Sequence, residues 1–302
     1  METILTIILV VLIAIEWGTG KISGHNVYDR RNSIINFSLG VITIFSEFIC
    51  TFIAMPLLLF IYPHHSIFHF NNSSPWTFLV LFFLIDFSDY WFHRVSHKIN
   101  LFWTAHIVHH QSEHYNITVG LRASFLVPIF NLFSYSLFPL FGFAPSNVLW
   151  ILLVQGLYNL VLHTELVGKL GWLEYILVTP SSHRVHHAKN EKYMDRNFGK
   201  MFAFWDLLFG TYIQESEMVE YGVADSRGGD GVGSSLFYPM RKIRHLFFSE
   251  SDPKKRFQIL FGTPSNAERI YRERKKLIPQ ENEAESGNGS EAMDELKLGL
   301  QS

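Results

Sequence analysis

Histidine triplets with one shared spacing are the clearest chemical signal in this chain. The two triplets are His106, His109, His110 and His183, His186, His187. Because the members of each triplet are three and four residues apart, a helix projects their imidazoles towards one side. Imidazole nitrogen is a ligand that suits zinc, copper, iron and nickel alike. The spacing therefore predicts a metal site without choosing the metal.

Three further histidines extend this set to nine. His93 and His97 repeat the four-residue spacing after an apolar run, and His163 stands between the two triplets. A tetrahedral zinc ion takes four ligands, which is fewer than this sequence offers. We therefore predict two metal ions that share a cage of imidazoles. The other six histidines form no such triplet and are predicted to be incidental: His25, His64, His65, His69, His114 and His245.

The composition indicates a membrane protein. Of 302 residues, 48% are hydrophobic and 28 are Phe, and the mean hydropathy is positive. A net charge of −2 provides no field for a nucleic-acid partner. The single cysteine, Cys50, lies in an apolar run. It excludes a disulfide framework, a cysteine zinc finger and a four-cysteine iron–sulfur cluster within this chain.

Apolar stretches supply the elements that must position the histidines. They cover residues 4–17, 34–62, 76–92, 125–143 and 146–162. A span needs about 20 largely apolar residues, so the second stretch is secure, with a tilt or a break near Pro56, whereas the first and third are marginal. The last two form a hairpin around Ala144-Pro145. Residues 1–17 lack a basic start and a cleavage site, so we expect a retained anchor rather than a signal peptide.

Loop charge predicts how the chain lies in the membrane. Lys and Arg are found in residues 21–32, in residues 93–124 and beyond residue 168, whereas the loop 63–75 carries no charged residue. The positive-inside rule places the charged segments, and with them every histidine cluster, in the cytoplasm. We therefore predict an all-α, multi-pass integral membrane protein. It has four to five membrane-embedded helices and a cytoplasmic metal cap that carries the histidines.

We predict that the chain is divided into three regions. Residues 1–75 are a transmembrane region, 76–213 hold the histidine core, and 214–302 form a cytoplasmic tail that is disordered from about 279. Residues 228–235 read as a Gly-rich linker. The basic and aromatic stretch 236–248 is expected either to lie along the membrane surface or to pack on the core.

The location of the histidines narrows the chemistry. A His-Glu-x-x-His zinc-protease motif is absent. A transporter would distribute ionisable residues along its spans, but these histidines gather at one end, near Asp86 and Asp89. That arrangement favours fixed catalytic metals facing a lipid-accessible cavity. A metal-binding membrane protein without redox chemistry remains the distant alternative.

The motifs resemble the membrane fatty acid hydroxylase/sterol desaturase superfamily, and within it the alkylglycerol monooxygenase-like branch and its bacterial relatives. Residues 76–211 carry the resemblance. Its motifs are Asp89-Tyr-Trp-Phe-His-Arg94, His109-His-Gln-Ser-Glu-His-Tyr-Asn116, His163-Thr-Glu165, Thr179-Pro-Ser-Ser-His183, Asn197-Phe-Gly199 and Trp205-Asp-Leu-Leu-Phe-Gly-Thr211. Two features depart from that branch: its animal members are longer, and they carry an acidic residue where this chain has Lys98.

The resemblance implies a di-iron oxygenase that hydroxylates a lipid C–H bond with O₂, with a desaturase on the same core as the alternative. It implies the nine histidines as ligands. Glu113, Asn116 and Arg122 become supporting residues, with a lipid headgroup near Glu113 and Arg122. Asp89, with Asp86, is expected to orient His93 or His97, and Asn159 to ligate weakly. The sequence has no Gly-x-Gly-x-x-Gly loop, so electrons must come from a separate reductase, ferredoxin, cytochrome or pterin. The bacterial inner membrane or the endoplasmic reticulum would be the location.

Overall fold

A computed structural model describes residues 2–223 and 229–272, and within them the chain is helical. Isolated bridges, such as Leu177 with Phe202, are the extended pairings in these ranges. The principal helices are α1 (Glu2–Ser23), α2 (Arg30–His65), α3 (Pro75–Lys98), α4 (Asn100–His110), α5 (Val127–Phe141), α6 (Pro145–Leu162), α7 (Pro180–His186), α8 (Phe204–Leu208), α9 (Val232–Ser249) and α10 (Pro253–Phe261). The predicted all-α class is confirmed.

Helices α1, α2 and α6 are long and apolar enough to cross a membrane, and α5 is a shorter apolar helix. Helix α3 is not among the candidate spans in the described part of the chain, because it carries four charged residues from Asp86 onwards. Helix α2 has 36 residues, which is about 54 Å at 1.5 Å per residue. Since a hydrocarbon core is about 30 Å thick, α2 extends beyond it. It runs without interruption through Pro56, so the break considered there is absent.

The first turns of α2 are buried in the protein, whereas most of its remainder is exposed. Gly40 explains the close packing, because a Cβ at this position would lie 3.1 Å from the Leu121 Cβ. Asn36 donates its amide to the Thr118 hydroxyl. On α1, Glu16 accepts the Ile117 backbone N–H at 2.9 Å. Both helices are therefore joined to the 3₁₀ turn Ile117–Leu121, which follows the second histidine cluster.

Helices α5 and α6 form the predicted hairpin. Gly142 ends α5 with a φ of +104°, a conformation that glycine adopts without steric cost, and Pro145 begins α6. The hairpin tip is bound to the loop before α3, since Asn72 donates to the Gly142 carbonyl and accepts from the Ala144 N–H. The hairpin therefore reaches the level of the uncharged loop 63–75.

The C-terminal helices pack against the histidine core. Leu236 of α9 lies in a hydrophobic cluster with Ile35, Leu39 and Val108. Asn100, at the start of α4, donates its side chain to the Ile259 carbonyl of α10. Helix α9 begins at Val232, so the Gly-rich stretch is shorter as a linker than expected. The disorder predicted from about residue 279 falls outside the described residues, and the division into three regions remains a prediction.

Candidate metal centre

The nine predicted histidines converge into two adjacent groups. One contains five residues, His93, His97, His106, His110 and His186, and the other contains four, His109, His163, His183 and His187. Within each group the potential ligand atoms lie within 4.8 Å of one another. The six histidines that were predicted to be incidental belong to neither group. The structure thus brings together the residues that the spacing singled out, while their role as ligands remains a prediction.

Each His-His dipeptide contributes one ring to each group. His110 belongs to the group of five and His109 to the group of four, and the same division separates His186 from His187. Consecutive residues of a helix point about 100° apart, whereas residues four apart share a face. The His-x-x-His-His pattern therefore serves two neighbouring sites at once. The two groups meet where the His110 and His187 rings stack, with centroids 4.5 Å apart.

The proton arrangement at His109 and His163 favours a cation between them. A carbonyl can only accept, so His109 donates its Nδ1–H to the Arg122 carbonyl and His163 donates its Nδ1–H to the Asn159 carbonyl. Burial lowers the pKa of His109 to about 4, despite the bond to Arg122. In a neutral ring the other nitrogen, Nε2, then carries a lone pair. These two Nε2 atoms face each other at 3.3 Å, which is unfavourable without a bound cation.

The remaining nitrogen separations fit the same conclusion. Nε2 atoms of His106 and His93, and of His183 and His163, lie 3.0 and 3.1 Å apart. An ion bonded to two nitrogens at about 2.1 Å brings them to about 3.0 Å at a right angle and about 3.4 Å at a tetrahedral angle. The observed separations correspond to edges of such a coordination shell.

Buried nitrogens without partners point to the same ion sites. Among the described residues, the buried polar atoms that lack a hydrogen bond include the Nε2 atoms of His97, His186 and His187. Such atoms are rare in native proteins. Burial also lowers the pKa values of His183, His186 and His187 well below 6.5, so these rings are neutral and able to ligate. The donor set therefore fits two transition-metal ions.

One loop after α7 orients three of the five rings in the first group. The Phe198 carbonyl accepts from His93 Nδ1 at 2.8 Å, and the Arg196 carbonyl accepts from His186 Nδ1 at 3.0 Å. The Asp195 carboxylate lies 3.6 Å from His97 Nδ1. Acceptors of this kind fix the tautomer and direct the free nitrogen towards the metal.

The conformation of this loop is itself fixed by buried contacts. Asp206 accepts the backbone N–H groups of Phe198 and Gly199. Gly199 has no room for a side chain, because a Cβ there would lie 2.7 Å from the Phe202 carbonyl oxygen. Asn197 adopts a φ of +53° and bonds through its side chain to the Ser182 and Ile213 carbonyls. The Asn-Phe-Gly and Trp-Asp motifs thus support the ligands from behind.

Local sequence also explains the short helix that carries the last triplet. Thr179 caps α7 in a reciprocal capping box with Ser182, and Pro180 occupies its first turn. Arg184 donates to the carbonyls of Thr164 and Val167, which ties α7 to the segment that follows His163. His163 directly follows α6, so the α5–α6 hairpin ends beside the other histidines.

Arg122 is a buried structural residue and not a headgroup ligand. Its side chain has no solvent exposure. It donates to the Val108 carbonyl, Asn36, Gln111 and Ser235. These partners come from α2, α4 and α9, so the guanidinium joins three helices behind His109. The expectation of a lipid headgroup at Arg122 is wrong, because its donors are already committed to protein acceptors.

Asn116 and Glu113 differ from their expected roles beside the cage. Asn116 is fully buried and donates to the Val27 carbonyl while it accepts from Thr118. It therefore supports the chain between α1 and α2. Glu113 is exposed and lies against Gly222, and it forms no hydrogen bond to an imidazole in the described chain. A catalytic role for either residue remains a prediction that these contacts do not favour.

Asp86 and Asp89 do not orient the first histidine pair. Asp89 accepts from Tyr135 at 2.6 Å and from Lys200 at 3.0 Å. Burial alone would lower the pKa of Lys200, but the Asp89 charge outweighs it and raises that pKa. Asp86 accepts from the Trp205 ring and from the Met201 and Phe202 N–H groups. The correction has a simple cause: these carboxylates bind the segment that begins at Lys200, whereas His93 is oriented by the Phe198 carbonyl just before it.

Sequence reasoning missed Asp195 and the functions of Asp206 and Asn159. Asp195 stands outside every recognised motif, although its pairing with Lys98 and His97 lowers the pKa of its carboxyl to about 2 despite burial. Asp206 was visible within the Trp-Asp motif but had no assigned contact. Asn159 contributes its backbone carbonyl to His163, whereas side-chain ligation was expected.

A cavity of about 760 Å³ opens onto the metal groups. His97, His110, His186 and His187 form part of its wall. Its other sides include Trp103 and Ile107 of α4, Leu246 of α9, and charged residues such as Lys98 and Glu268. Ligand pockets are typically about 300–1,000 Å³ and largely apolar with a few polar groups. This cavity is thus large enough for a substantial part of a lipid.

Comparison with known proteins now identifies this arrangement. The fatty acid hydroxylase family model matches residues 78–211, which contain all nine histidines. The histidine core belongs to the fatty acid hydroxylase family. The superfamily assignment made from the motifs is confirmed.

Curated relatives refine this result. The chain is 33% identical to alkylglycerol monooxygenase from Homo sapiens over 234 residues, which is 77% of this chain and 52% of that protein. It is 36% identical to alkylglycerol monooxygenase from Xenopus tropicalis over 194 residues, 64% of this chain and 43% of the relative. It is also 31% identical to ornithine lipid hydroxylase OlsE from Rhizobium tropici over 165 residues, 53% and 48% of the two chains. The chain spans about half the length of these relatives, and no solved structure is significantly similar to it.

Proposed function

We propose that this protein is an O₂-dependent membrane lipid hydroxylase that holds two iron ions. The observation that carries the proposal is the pair of adjacent all-histidine groups beside a cavity of about 760 Å³. The fatty acid hydroxylase core and the similarity to an alkylglycerol monooxygenase and an ornithine lipid hydroxylase support a lipid substrate. Imidazole also binds zinc, copper and nickel; we choose iron because the resemblance to membrane di-iron oxygenases implies it.

The protein's own residues prepare the site. The group of five would hold one ion and the group of four the other. Carbonyls of Phe198, Arg196, Arg122 and Asn159 each accept an Nδ1–H, which presents the opposite nitrogen to the metal and raises its basicity. Bound non-haem iron supplies the reduction of O₂ and the activation of a C–H bond. Burial of the rings keeps water away from that chemistry.

The cavity determines where a lipid would bind. Apolar side chains of Trp103, Ile107 and Leu246 line the path to the histidines, and Lys98 and Glu268 provide polarity. We infer that a chain carbon enters along the apolar side, while the polar part of the lipid stays near the charged residues. This arrangement replaces the headgroup position that was expected at Arg122.

Electrons must be delivered from outside this chain. Its sequence contains no dinucleotide-binding glycine loop and only one cysteine. A separate reductase, ferredoxin, cytochrome or pterin is therefore the proposed donor. We place the histidine groups on the cytoplasmic side of a bacterial inner membrane or of the endoplasmic reticulum, because Lys and Arg are concentrated there.

Isotopic oxygen tests the reaction. Membranes with the parent protein and with a His186→Ala variant, each supplied with an electron donor, would be incubated under ¹⁸O₂ and their lipids analysed by mass spectrometry. We expect a hydroxylated lipid with one ¹⁸O atom in the parent sample only. Label from H₂¹⁸O would contradict the oxygenase proposal, and an unsaturated, unlabelled product would replace hydroxylation by desaturation.

Accessibility of single cysteines tests the topology. On a Cys50→Ser background, Ser73→Cys lies in the uncharged loop and Met218→Cys on the side of the histidines. Ser73 is exposed, and Met218 is 86% exposed. An impermeant maleimide should label the two positions from opposite sides of the membrane. Labelling of both from one side would contradict the proposed orientation.

A further inference from the structure

Helices α9 and α10 present an outward surface that the proposed chemistry does not use. On α9 the exposed positions recur every three to four residues, and on α10 most positions are exposed, among them Lys254, Phe257 and Phe261 at the same spacing. We name this the outer face: Phe237, Arg241, Arg244 and Phe248 of α9 with Lys254, Phe257 and Phe261 of α10. Large aromatic rings stand in it beside cationic side chains. The exposed fractions of Phe248 and Phe257 are 70% and 64%.

The opposite faces of these helices are buried against the rest of the protein. Leu236, Pro239 and Leu246 of α9 and Ile259 of α10 are buried, and Ile243 lines the cavity beside the histidines. Helix α9 therefore has one side against the core and cavity and one side directed outwards. The outer face therefore stays uncovered when the described chain folds.

Contacts at both ends join the pair to the ends of helices that follow or precede the apolar segments. Phe237 lies beside Phe125, two residues before α5, with ring centroids 6.2 Å apart. Arg31, at the start of α2, donates to the Asp230 carbonyl just before α9. Asn100, two residues after α3, donates its N–H to the Gly262 carbonyl just after α10. The pair thus adjoins the start of α2, the end of α3 and the start of α5, which are the ends that the loop charges place on the cytoplasmic side.

Charge distinguishes the partner that fits this surface. Between residues 232 and 261 there are six Lys and Arg side chains and two acidic ones, Glu250 and Asp252. Aromatic side chains beside Lys and Arg are typical of helices that lie in the headgroup layer, with rings at the acyl boundary and cations at lipid phosphates. We propose that the outer face of α9 and α10 docks on the anionic lipid surface of the same membrane that α1, α2 and α6 cross.

Docking of this kind has a structural consequence for the cavity. Because α9 forms one of its walls, an outer face seated in the headgroup layer holds the cavity beside the lipids. The inference concerns the residues outside the matched segment 78–211, and it stands independently of the proposed hydroxylation.

Depth-dependent quenching of the full-length protein tests the docking. Phe248→Cys and Phe257→Cys, each on a Cys50→Ser background, would carry a fluorescent label in lipid nanodiscs that hold one copy. Met218→Cys is the matched control. A spin-labelled lipid should quench labels 248 and 257 at least threefold more than label 218, and aqueous iodide should show the reverse order. Equal iodide access at all three positions would overturn the proposal.

The lipid charge is tested in the same system. Discs of neutral lipid alone should protect label 257 less from iodide than discs with one-third anionic lipid. Replacement of Arg241, Arg244 and Lys254 by Gln should remove that difference, with unchanged circular dichroism as the check on folding. Protection that is independent of lipid charge would overturn the assignment to an anionic surface. Protection seen only when discs hold two copies would assign the outer face to a second chain.

Discussion

Replacement of Arg122 by Lys separates a structural role from a catalytic one. The guanidinium of Arg122 satisfies four acceptors, at 2.7 Å for the Val108 carbonyl and between 2.9 and 3.1 Å for the other three. A lysine ammonium keeps the charge but lacks the planar fork. We expect it to satisfy about two of these acceptors and to leave about two unpaired. An unpaired buried acceptor costs about 1–3 kcal/mol, and at about 1.5 kcal/mol for each of the two the loss is about 3 kcal/mol.

Thermal unfolding in detergent measures this loss. About 3 kcal/mol corresponds to a decrease in Tm of about 6–12 °C for a protein of this size. Arg241→Lys, at an exposed position of α9, is the matched control and should change stability by less than about 0.5 kcal/mol. His109 bonds to the backbone carbonyl of Arg122, so the metal content of the Arg122→Lys protein should equal that of the parent. An unchanged Tm together with lost turnover would refute this reasoning and would indicate that Arg122 contacts the substrate.

Two further substitutions test the loop that supports the ligands. Gly199→Ala places a Cβ 2.7 Å from a backbone oxygen and should displace the Phe198 carbonyl, with loss of metal detected by mass spectrometry. Gly156→Ala, which meets nothing within 4 Å, should keep full metal, and equal metal in both variants would contradict the packing argument. Asp195→Asn removes the charge beside His97 and should weaken metal binding about tenfold in a competition titration with a chelator. Unchanged affinity would show that the 3.6 Å contact does not orient that ring.

The histidine set was predictable from sequence because its signal is periodic. Spacing of three and four residues does not depend on the details of packing, and it marked eight of the nine residues of the two groups; His163 was added for its position between the triplets. The division between the groups was less visible, since it depends on the orientation of α4 relative to α7. It could nevertheless be deduced afterwards from the 100° rotation between His109 and His110.

The supporting residues could not be derived in the same way. The acceptors for His93, His186 and His109 are backbone carbonyls of Phe198, Arg196 and Arg122. Every residue has a carbonyl, so a sequence cannot show which one is used. Local charge was also misleading for Asp89, because proximity along α3 indicated a histidine partner, whereas Lys200 and Tyr135 bind it in the folded chain.

Helix bounds were predicted well where apolar length decided them and poorly elsewhere. The hairpin at Pro145 and the long second span agree with the structure. Composition left a tilt or a break near Pro56 open, and the break is absent: an isolated proline removes only one backbone donor, and α2 continues through it. The start of α9 at Val232 was hidden by the glycines beside it, because tertiary packing of Leu236 outweighs their low helix propensity.

A count of iron ions per chain tests the central claim most directly. Parent protein, His109→Ala, His186→Ala and His64→Ala would be loaded with Fe²⁺ without oxygen, freed of excess metal and analysed by elemental mass spectrometry. Two distinct groups of histidines predict two ions in the parent and in His64→Ala, and fewer than two in each of the other variants. A parent protein that saturates at one ion per chain, or that keeps both ions without His109 and without His186, would contradict the two-site account.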